Sequence, residues 1–444
     1  MALAPIFKAY DVRGIYPDQF DEDAARRIGS AFSEFTGASA VALARDCRTS
    51  SPPLAEAFTE GVTRRGTDVI DIGLATTDML YFASGKLDLP GAMFTASHNP
   101  PEWNGLKLCR EAAAPIGEES GLREVRELAE RDPPPASARG TVSRRDMVDE
   151  YVNHVLSFVD ADRLAPLTVV ADAANGMAGL VLPAIFDRLP AKLVGLYLEL
   201  DGTFPNHPAD PIQPENQEDL RRTVLEHGAD LGLAFDGDAD RVFVVDERAQ
   251  GVSGSLITAL VAESILERQP GQKVLHNLIC SWVVPEVIRE HGGVPIRTRV
   301  GHSFIKQVMA ETGAVFGGEH SGHYYFRDHY RADSGLIAAM LVLQRLSQSG
   351  GPMSELLAPY RRYYASGEIN SEVSDQRGAV EVLASAYADG KQDRLDGLTV
   401  EFEDWWFNVR PSNTEPLLRL NVEARTSELL EDKTAELLRR IREG

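Results

Sequence analysis

The stretch "GAMFTASHNP", residues 91–100, runs along an apolar strand to the small polar Ser97 and breaks at once into His98, Asn99 and Pro100. Two later stretches have the same form: "ADLGLAFDGDADR" (229–241) and "AVFGGEHSGH" (314–323). Each follows two further strand-like segments separated by amphipathic helical stretches. These are "VALARD" (41–46) and "VIDIG" (69–73), then "TVVADAANG" (168–176) and "LVGLYL" (193–198), then "KVLHNL" (273–278) and "VPIRTRV" (294–300). Strands alternating with helices imply right-handed crossovers and parallel sheets. The repetition predicts three similar α/β domains with mixed, mostly parallel sheets. Ligands of such sheets lie beyond the carboxyl ends of the strands, so three polar loops at the equivalent place suggest domains that face one cleft.

Breaks in the pattern divide the chain. "RDPPPASARG" (131–140) is a Pro-rich linker, "DERAQG" (246–251) is a turn, and the helical "SGLIAAMLVLQRLSQSG" (334–350) ends in glycines. From about residue 360 the strand-like "LTVEFED", "WWFNVRPS" and "LLRLNVEA" lead to an amphipathic helix, "SELLEDKTAELLRRIREG". The expected organisation is α/β domains at 1–140, 141–247 and 248–358, and a smaller C-terminal α+β domain at 359–444.

The 444 residues are 43% hydrophobic and 25% charged, as in ordinary soluble proteins. No apolar run approaches a bilayer span, and "MALAPIFKAYDVRG" lacks the form of a signal peptide, so a cytoplasmic protein without membrane partners is expected. Cys47, Cys109 and Cys280 have no CxxC spacing and read as small buried hydrophobes. A net charge of −22 argues against nucleic acid as a partner. A small anionic ligand would need a local basic cluster.

The loops carry the chemistry. Ser97 beside His98 invites a nucleophile–base reading, yet consecutive side chains of extended chain point to opposite faces. A polar strand-to-helix turn with Ser97 as N-cap is the alternative. In "DGDADR" (236–241), Asp236, Asp238 and Asp240 alternate, which aims three hard oxygen ligands to one side and suits Mg²⁺. A calcium loop fails because Arg241 stands at the sixth position, where glycine is needed. In "GGEHSGHYYF" (317–326), Glu319 and Ser321 can project the same way and grip two neighbouring sugar hydroxyls, while His320 and His323 read as structural or substrate-contacting. "NVRPSNTEP" (408–416) offers Arg410, Ser412, Asn413 and Thr414 to a phosphate. A metal site, a hydroxyl-reading site, a phosphate site and an exposed serine together fit phosphoryl transfer to a sugar phosphate.

From "KAYDVRG" (8–14) through "TASHNP", "DGDADR" and "GEHSGH" to "RPSNTEP", the chain resembles the α-D-phosphohexomutases over essentially its whole length, most of all their bacterial phosphomannomutase/phosphoglucomutase branch. The resemblance implies four domains around one cleft and a Ser97 that is phosphorylated in the active enzyme. It implies reversible interconversion of hexose 1- and 6-phosphates, of mannose and also glucose, through a hexose 1,6-bisphosphate that serves as intermediate and activator. Mg²⁺ would be held by Asp236, Asp238, Asp240 and a phosphoserine oxygen. Arg13 and Lys107 become the acid/base candidates with His98 close by. Lys107 is favoured as base, because a lysine crowded by cations is shifted down. Arg241 would contact the phosphoryl group or substrate, Tyr10 and His302 would line the cleft, and Glu319 with Ser321 would read O3 and O4. Ile279 stands where family members often carry a basic residue. Phosphoglucosamine mutase, a metal-dependent sugar phosphatase and a sugar-phosphate binding protein are the alternatives, and a monomer or weak homodimer is expected.

Overall fold

The computed structural model describes residues 3–411 and 417–443. Its first sheet has six strands in the order Val12–Ile15, Trp103–Cys109, Gly91–Phe94, Ala40–Arg45, Asp68–Leu74 and Val142–Arg144. The second has five: Gly251–Val252, Val242–Asp246, Leu231–Phe235, Thr168–Asp172 and Lys192–Leu196. The third has four: Val294–Thr298, Lys273–Asn277, Phe316–Gly318 and Tyr324–Phe326.

One four-strand unit recurs in all three. Its first strand is flanked on both sides by parallel strands, and a fourth strand returns antiparallel beside the third. Helices cover both faces of the parallel strands, and Gly91–Phe94 and Leu231–Phe235 are buried along their whole length. The connection between the third and fourth strands is in each case the polar loop that the sequence singles out. Those loops therefore leave from the carboxyl ends of equivalent strands.

The sheets overrun two of the expected domain boundaries. Val142–Arg144 pairs with Asp68–Leu74, and Gly251–Val252 pairs with Val242–Asp246, so the first two units extend past residues 140 and 247. Both are edge strands too short to show a hydrophobic period, and Val142–Arg144 is exposed throughout. The last unit begins with the strand Tyr364–Glu372. Its antiparallel sheet continues through Leu417–Ala424, Trp405–Pro411, Leu398–Glu401 and Lys391–Asp393, against the helices Gln376–Ala386 and Ser427–Glu443.

One hydrophobic core passes through the first three units. Met79 and Phe82 of the helix Thr77–Leu87 belong to the same cluster as Phe235, Leu260 and Leu341. The fourth has its own core around Leu383, Phe407 and Leu420. At the junction of the first three lies the fully buried carboxylate of Asp78. It accepts hydrogen bonds from Tyr151 (2.5 Å) and Ser334 (2.5 Å) of the second and third units and from Thr76.

Burial pushes the Asp78 carboxyl up to about 7, outweighing the three hydroxyl donors that favour its charged form. A folded-state value above the unfolded value of about 4 means that the folded protein holds the extra proton between those limits. Stability should therefore fall as pH rises from about 4 to 7, by on the order of 3–4 kcal/mol from this group, and level off above. Asp78→Asn is expected to remove that component, read as the difference between wild-type and variant urea midpoints across the range.

Candidate active site

Ser97 is built as the apex of a strained turn. Its φ is +51°, in the left-handed region that residues with a Cβ seldom occupy, and its N–H donates to Thr95 Oγ1 at 2.9 Å. The turn leads on to the strand Trp103–Cys109, so Ser97 caps no helix. The left-handed backbone also overturns the separation expected of Ser97 and His98. Their side chains share one side, with Ser97 Oγ 3.2 Å from His98 Nδ1.

A residue that the sequence reading missed holds this turn. Arg48, fully buried, donates to the carbonyls of Ser97 (2.9 Å), Asn99 (2.7 Å), Pro100 (2.6 Å) and Trp103 (3.0 Å), and its Nε meets Asp46 Oδ2 at 3.1 Å. The one sign in the sequence is a charged "RDCR" directly after the apolar strand 41–44.

The second loop closes against the first. A Cβ at Gly237 would lie 2.4 Å from the Ser97 carbonyl oxygen, so only glycine permits this approach. Thr77, at the start of the helix Thr77–Leu87, donates its N–H to the Asp238 carbonyl (3.0 Å) and its hydroxyl to Asp238 Oδ2 (2.6 Å). Ser97 Oγ donates to Asp236 Oδ2 at 2.7 Å. Asp236, Asp238 and Asp240 each bring a carboxylate oxygen within 4.8 Å of the others, all buried. Oδ1 of Asp238 and Oδ1 of Asp240 are buried without a hydrogen-bond partner. Three converging carboxylates with orphaned oxygens fit a hard divalent cation.

Cations of the protein surround that cluster. Lys107 Nζ lies 2.7 Å from Asp238 Oδ2 and 2.5 Å from Asp240 Oδ2. Arg241 lies 2.9 Å from Asp236 Oδ2, and its Nη2 is 3.3 Å from Ser97 Oγ and 2.5 Å from His98 Nδ1. Burial lifts the Asp236 carboxyl well above its usual range, although Arg241 opposes the rise. Asp240 is also penalised by burial, but Lys107 and His323 bring it to about 2. His98 is held well below its ordinary value, first by burial and then by Arg241 and Arg13, so its imidazole is neutral.

Lys107 differs from expectation in its surroundings. Its neighbours are two carboxylates, which raise its pKa well above the usual value against the effect of burial. Arg13 turns elsewhere, to Asn99 Oδ1 and Asp11 Oδ2, both at 2.5 Å.

The third loop arrives through a bridge between Arg241 and His323. It is a turn, with Gly322 N–H donating to the Glu319 carbonyl at 3.2 Å, so Glu319 and Ser321 do not alternate as in extended chain. Both instead converge on His323, whose Nδ1 lies 3.0 Å from Ser321 Oγ and 3.6 Å from Glu319 Oε2, while its Nε2 is 3.8 Å from Asp240 Oδ1. His323 thus joins the third loop to the carboxylate loop. Glu319 accepts from Tyr325 (2.8 Å), Gly301 N–H (3.2 Å) and Asn277 (3.3 Å).

Tyr10 reaches across from the first unit, its ring 6.0 Å from that of Phe304. Arg410 lies on the fourth unit and is paired with Glu368 at 2.8 Å. Ile279 is buried on a cavity of about 440 Å³ between the third and fourth units, with His320 beside it. Ser412, Asn413 and Thr414 lie outside the described residues, as does the side chain of His302, which opens the helix His302–Thr312. The three cysteines are free, two of them buried. Among the described residues, no helix is long and apolar enough to cross a membrane.

Comparison with known proteins covers the whole chain. Residues 4–133, 149–251 and 253–363 match the phosphoglucomutase/phosphomannomutase alpha/beta/alpha domains I, II and III, and 368–440 match the C-terminal domain of that family. A phosphomannomutase of Salmonella montevideo is 42% identical over 97% of this chain and 98% of its own. Phosphohexose mutases of Xanthomonas campestris are 42% identical over 99% of both chains. The crystal structure of a phosphoglucomutase/phosphomannomutase family protein from Burkholderia thailandensis superposes with a TM-score of 0.91 at 34% identity, over 100% of this chain and 99% of that one. Four family domains in order, on a fold that brings the polar loops of the first three together, place the chain in the phosphoglucomutase/phosphomannomutase family, the α-D-phosphohexomutases, as a hexose-phosphate mutase and intramolecular phosphotransferase.

Proposed function

We propose that the chain interconverts hexose 1-phosphates and hexose 6-phosphates, of mannose and of glucose, through phospho-Ser97 and a hexose 1,6-bisphosphate. The supporting observation is the placement of Ser97 Oγ at the tip of a rigid turn, 2.7 Å from one of three clustered carboxylates and 3.3 Å from Arg241 Nη2. In the first half-reaction, the P–Oγ bond of phospho-Ser97 breaks and a bond forms from phosphorus to the free sugar hydroxyl. That hydroxyl gives up its proton to a base, and Ser97 Oγ takes up a proton as it leaves. The second half reverses these changes with the other phosphate.

Asp236, Asp238 and Asp240, with an oxygen of phospho-Ser97, would hold Mg²⁺, which supplies positive charge against the carboxylates and the phosphoryl group. Arg241 stabilises charge on the transferring phosphoryl oxygens, and neutral His98 accepts from Arg241 and so fixes its fork beside Ser97. Lys107 is the proposed base. With Asp238 and Asp240 holding the cation, Lys107 would share the oxygens that it now pairs with, and positive charge beside an amine favours its neutral form. Glu319 and Ser321 take the sugar O3 and O4, which leaves C2 largely unread and allows both sugars. Reduced cysteines suit a cytoplasmic setting, and a monomer or weak homodimer is the proposed state.

Ser97→Ala is expected to abolish mutase activity towards both mannose and glucose 1-phosphate while the fold persists. Intact-mass analysis should find wild type partly heavier by one phosphate and the variant not; an active variant refutes the scheme. Chelation of divalent ions should stop turnover, and added Mg²⁺ should restore it, whereas a sugar phosphatase would show net phosphate release throughout.

The far phosphate is assigned to Arg410 with Ser412, Asn413 and Thr414. Arg410 must exchange Glu368 for the ligand. Losing one charge-assisted contact of about 1.5–3 kcal/mol weakens binding roughly 10- to 150-fold. Arg410→Ala should therefore raise KM for the 1-phosphate and the 6-phosphate by similar factors and leave Ser97 phosphorylation near normal. Kinetics in both directions check this, and a defect confined to one isomer places Arg410 elsewhere.

A further inference from the structure

Beside the catalytic cleft, a cavity of about 990 Å³ opens between the first and third units. Lys8, Arg123 and Arg126 line it from one side and Arg299, Lys306 and Arg331 from the other, against two carboxylates, Glu118 and Glu119. In a chain with 67 acidic and 45 basic residues, this wall reverses the overall balance. Lys306 is committed to Asp333 at 2.7 Å and Arg123 to Glu118 at 3.2 Å. Arg126, Arg299 and Arg331 form no ion pair among the described residues, and Nε of Arg126 is buried without a hydrogen-bond partner. Unpaired guanidinium groups gathered in a concavity repel one another unless an anion joins them.

Backbone strain marks the same place. Ala113 on one wall and Ala112 just before it have φ of +56° and +54°, and Tyr330 and Arg331 on the other wall have +54° and +63°. Consecutive left-handed residues with a Cβ are costly, and they persist where the surroundings over-determine them, often at ligand clamps. Here the Tyr330 ring packs so closely on Gly85 that a Cβ there would lie 2.3 Å from it, which fixes the turn that presents Arg331. The ring of Phe304, with Arg299 4.3 Å above its centre, and the ring of Tyr330 add flat apolar faces between the charges.

We propose that this cavity is a second binding site, separate from the catalytic carboxylates, for a small molecule that carries two phosphate groups. Unpaired arginines on both walls call for anionic charge at two points, and the volume suits a molecule of nucleotide size. Hexose 1,6-bisphosphate and a nucleoside diphosphate both have this chemistry.

Calorimetric titration of the full-length protein, its cleft saturated with hexose 1-phosphate, tests the proposal with each of those two probes in its own arm. At least one probe should bind, and the arm that does so names the source of the ligand. In Arg126→Ser/Arg331→Ser that affinity should fall at least 100-fold, about tenfold for each lost guanidinium contact, while mutase kcat/KM stays within twofold of wild type. Binding of neither probe, equal binding by the double variant, or loss of its mutase activity would overturn the assignment.

Discussion

Three carboxylates buried within one loop set the terms for the rest of the structure. Asp236, Asp238 and Asp240 are at most 3% exposed, and charges so placed cost several kcal/mol each unless they are paired. Arg241 of the same loop pairs with Asp236, and the rest of the pairing comes from outside the unit: Lys107 and Thr77 belong to the first unit, and His323 to the third. The helix Thr77–Leu87 also turns its positive end toward Asp238. Thus the electrostatics that suit the loop to a divalent cation also fasten three units together. The continuous apolar core beneath them holds the same arrangement by area rather than by charge.

The Ser97 turn is the complementary half of that arrangement. A left-handed serine costs on the order of 1–3 kcal/mol, and the fully buried Arg48 offsets it by binding four carbonyl oxygens of the turn and its exit. Asp46 in turn neutralises Arg48 at 3.1 Å. Under the proposed mechanism, a serine fixed in this way needs no rearrangement to meet a phosphoryl group, and positioning is a main contribution to phosphoryl transfer.

The sequence made the repeated units, the three loops and the Asp triplet legible, because each depends on local patterns: a strand-and-helix period, a break, and alternation of like side chains. It did not disclose Arg48, Thr77 or the focal position of His323, whose partners are distant in the chain. Arg48 lies 49 residues from the Ser97 carbonyl that it binds, and Thr77 lies 161 from Asp238. The Ser97–His98 geometry was misread for a different reason. Alternation presumes extended backbone, and one residue at positive φ cancels it. The same presumption failed at Glu319 and Ser321, where a turn brings both side chains onto His323.

The fourth unit stands in a different physical relation to the other three. Its core is its own, and its ties to the third unit include polar contacts: Trp282 N–H to Glu423 at 2.9 Å, Arg297 to Glu401 at 2.9 Å, and Val300 N–H to Asp396 at 3.2 Å. Water can replace the hydrogen bonds of such contacts, whereas separating the first three units would split the core that they share, so reorienting the fourth costs less. Ser97 and the carboxylates are therefore on the rigid side of the cleft, and Arg410 is on the side that can yield. Under the proposed mechanism that asymmetry lets the phosphate at Ser97 be held in place while the other is only retained.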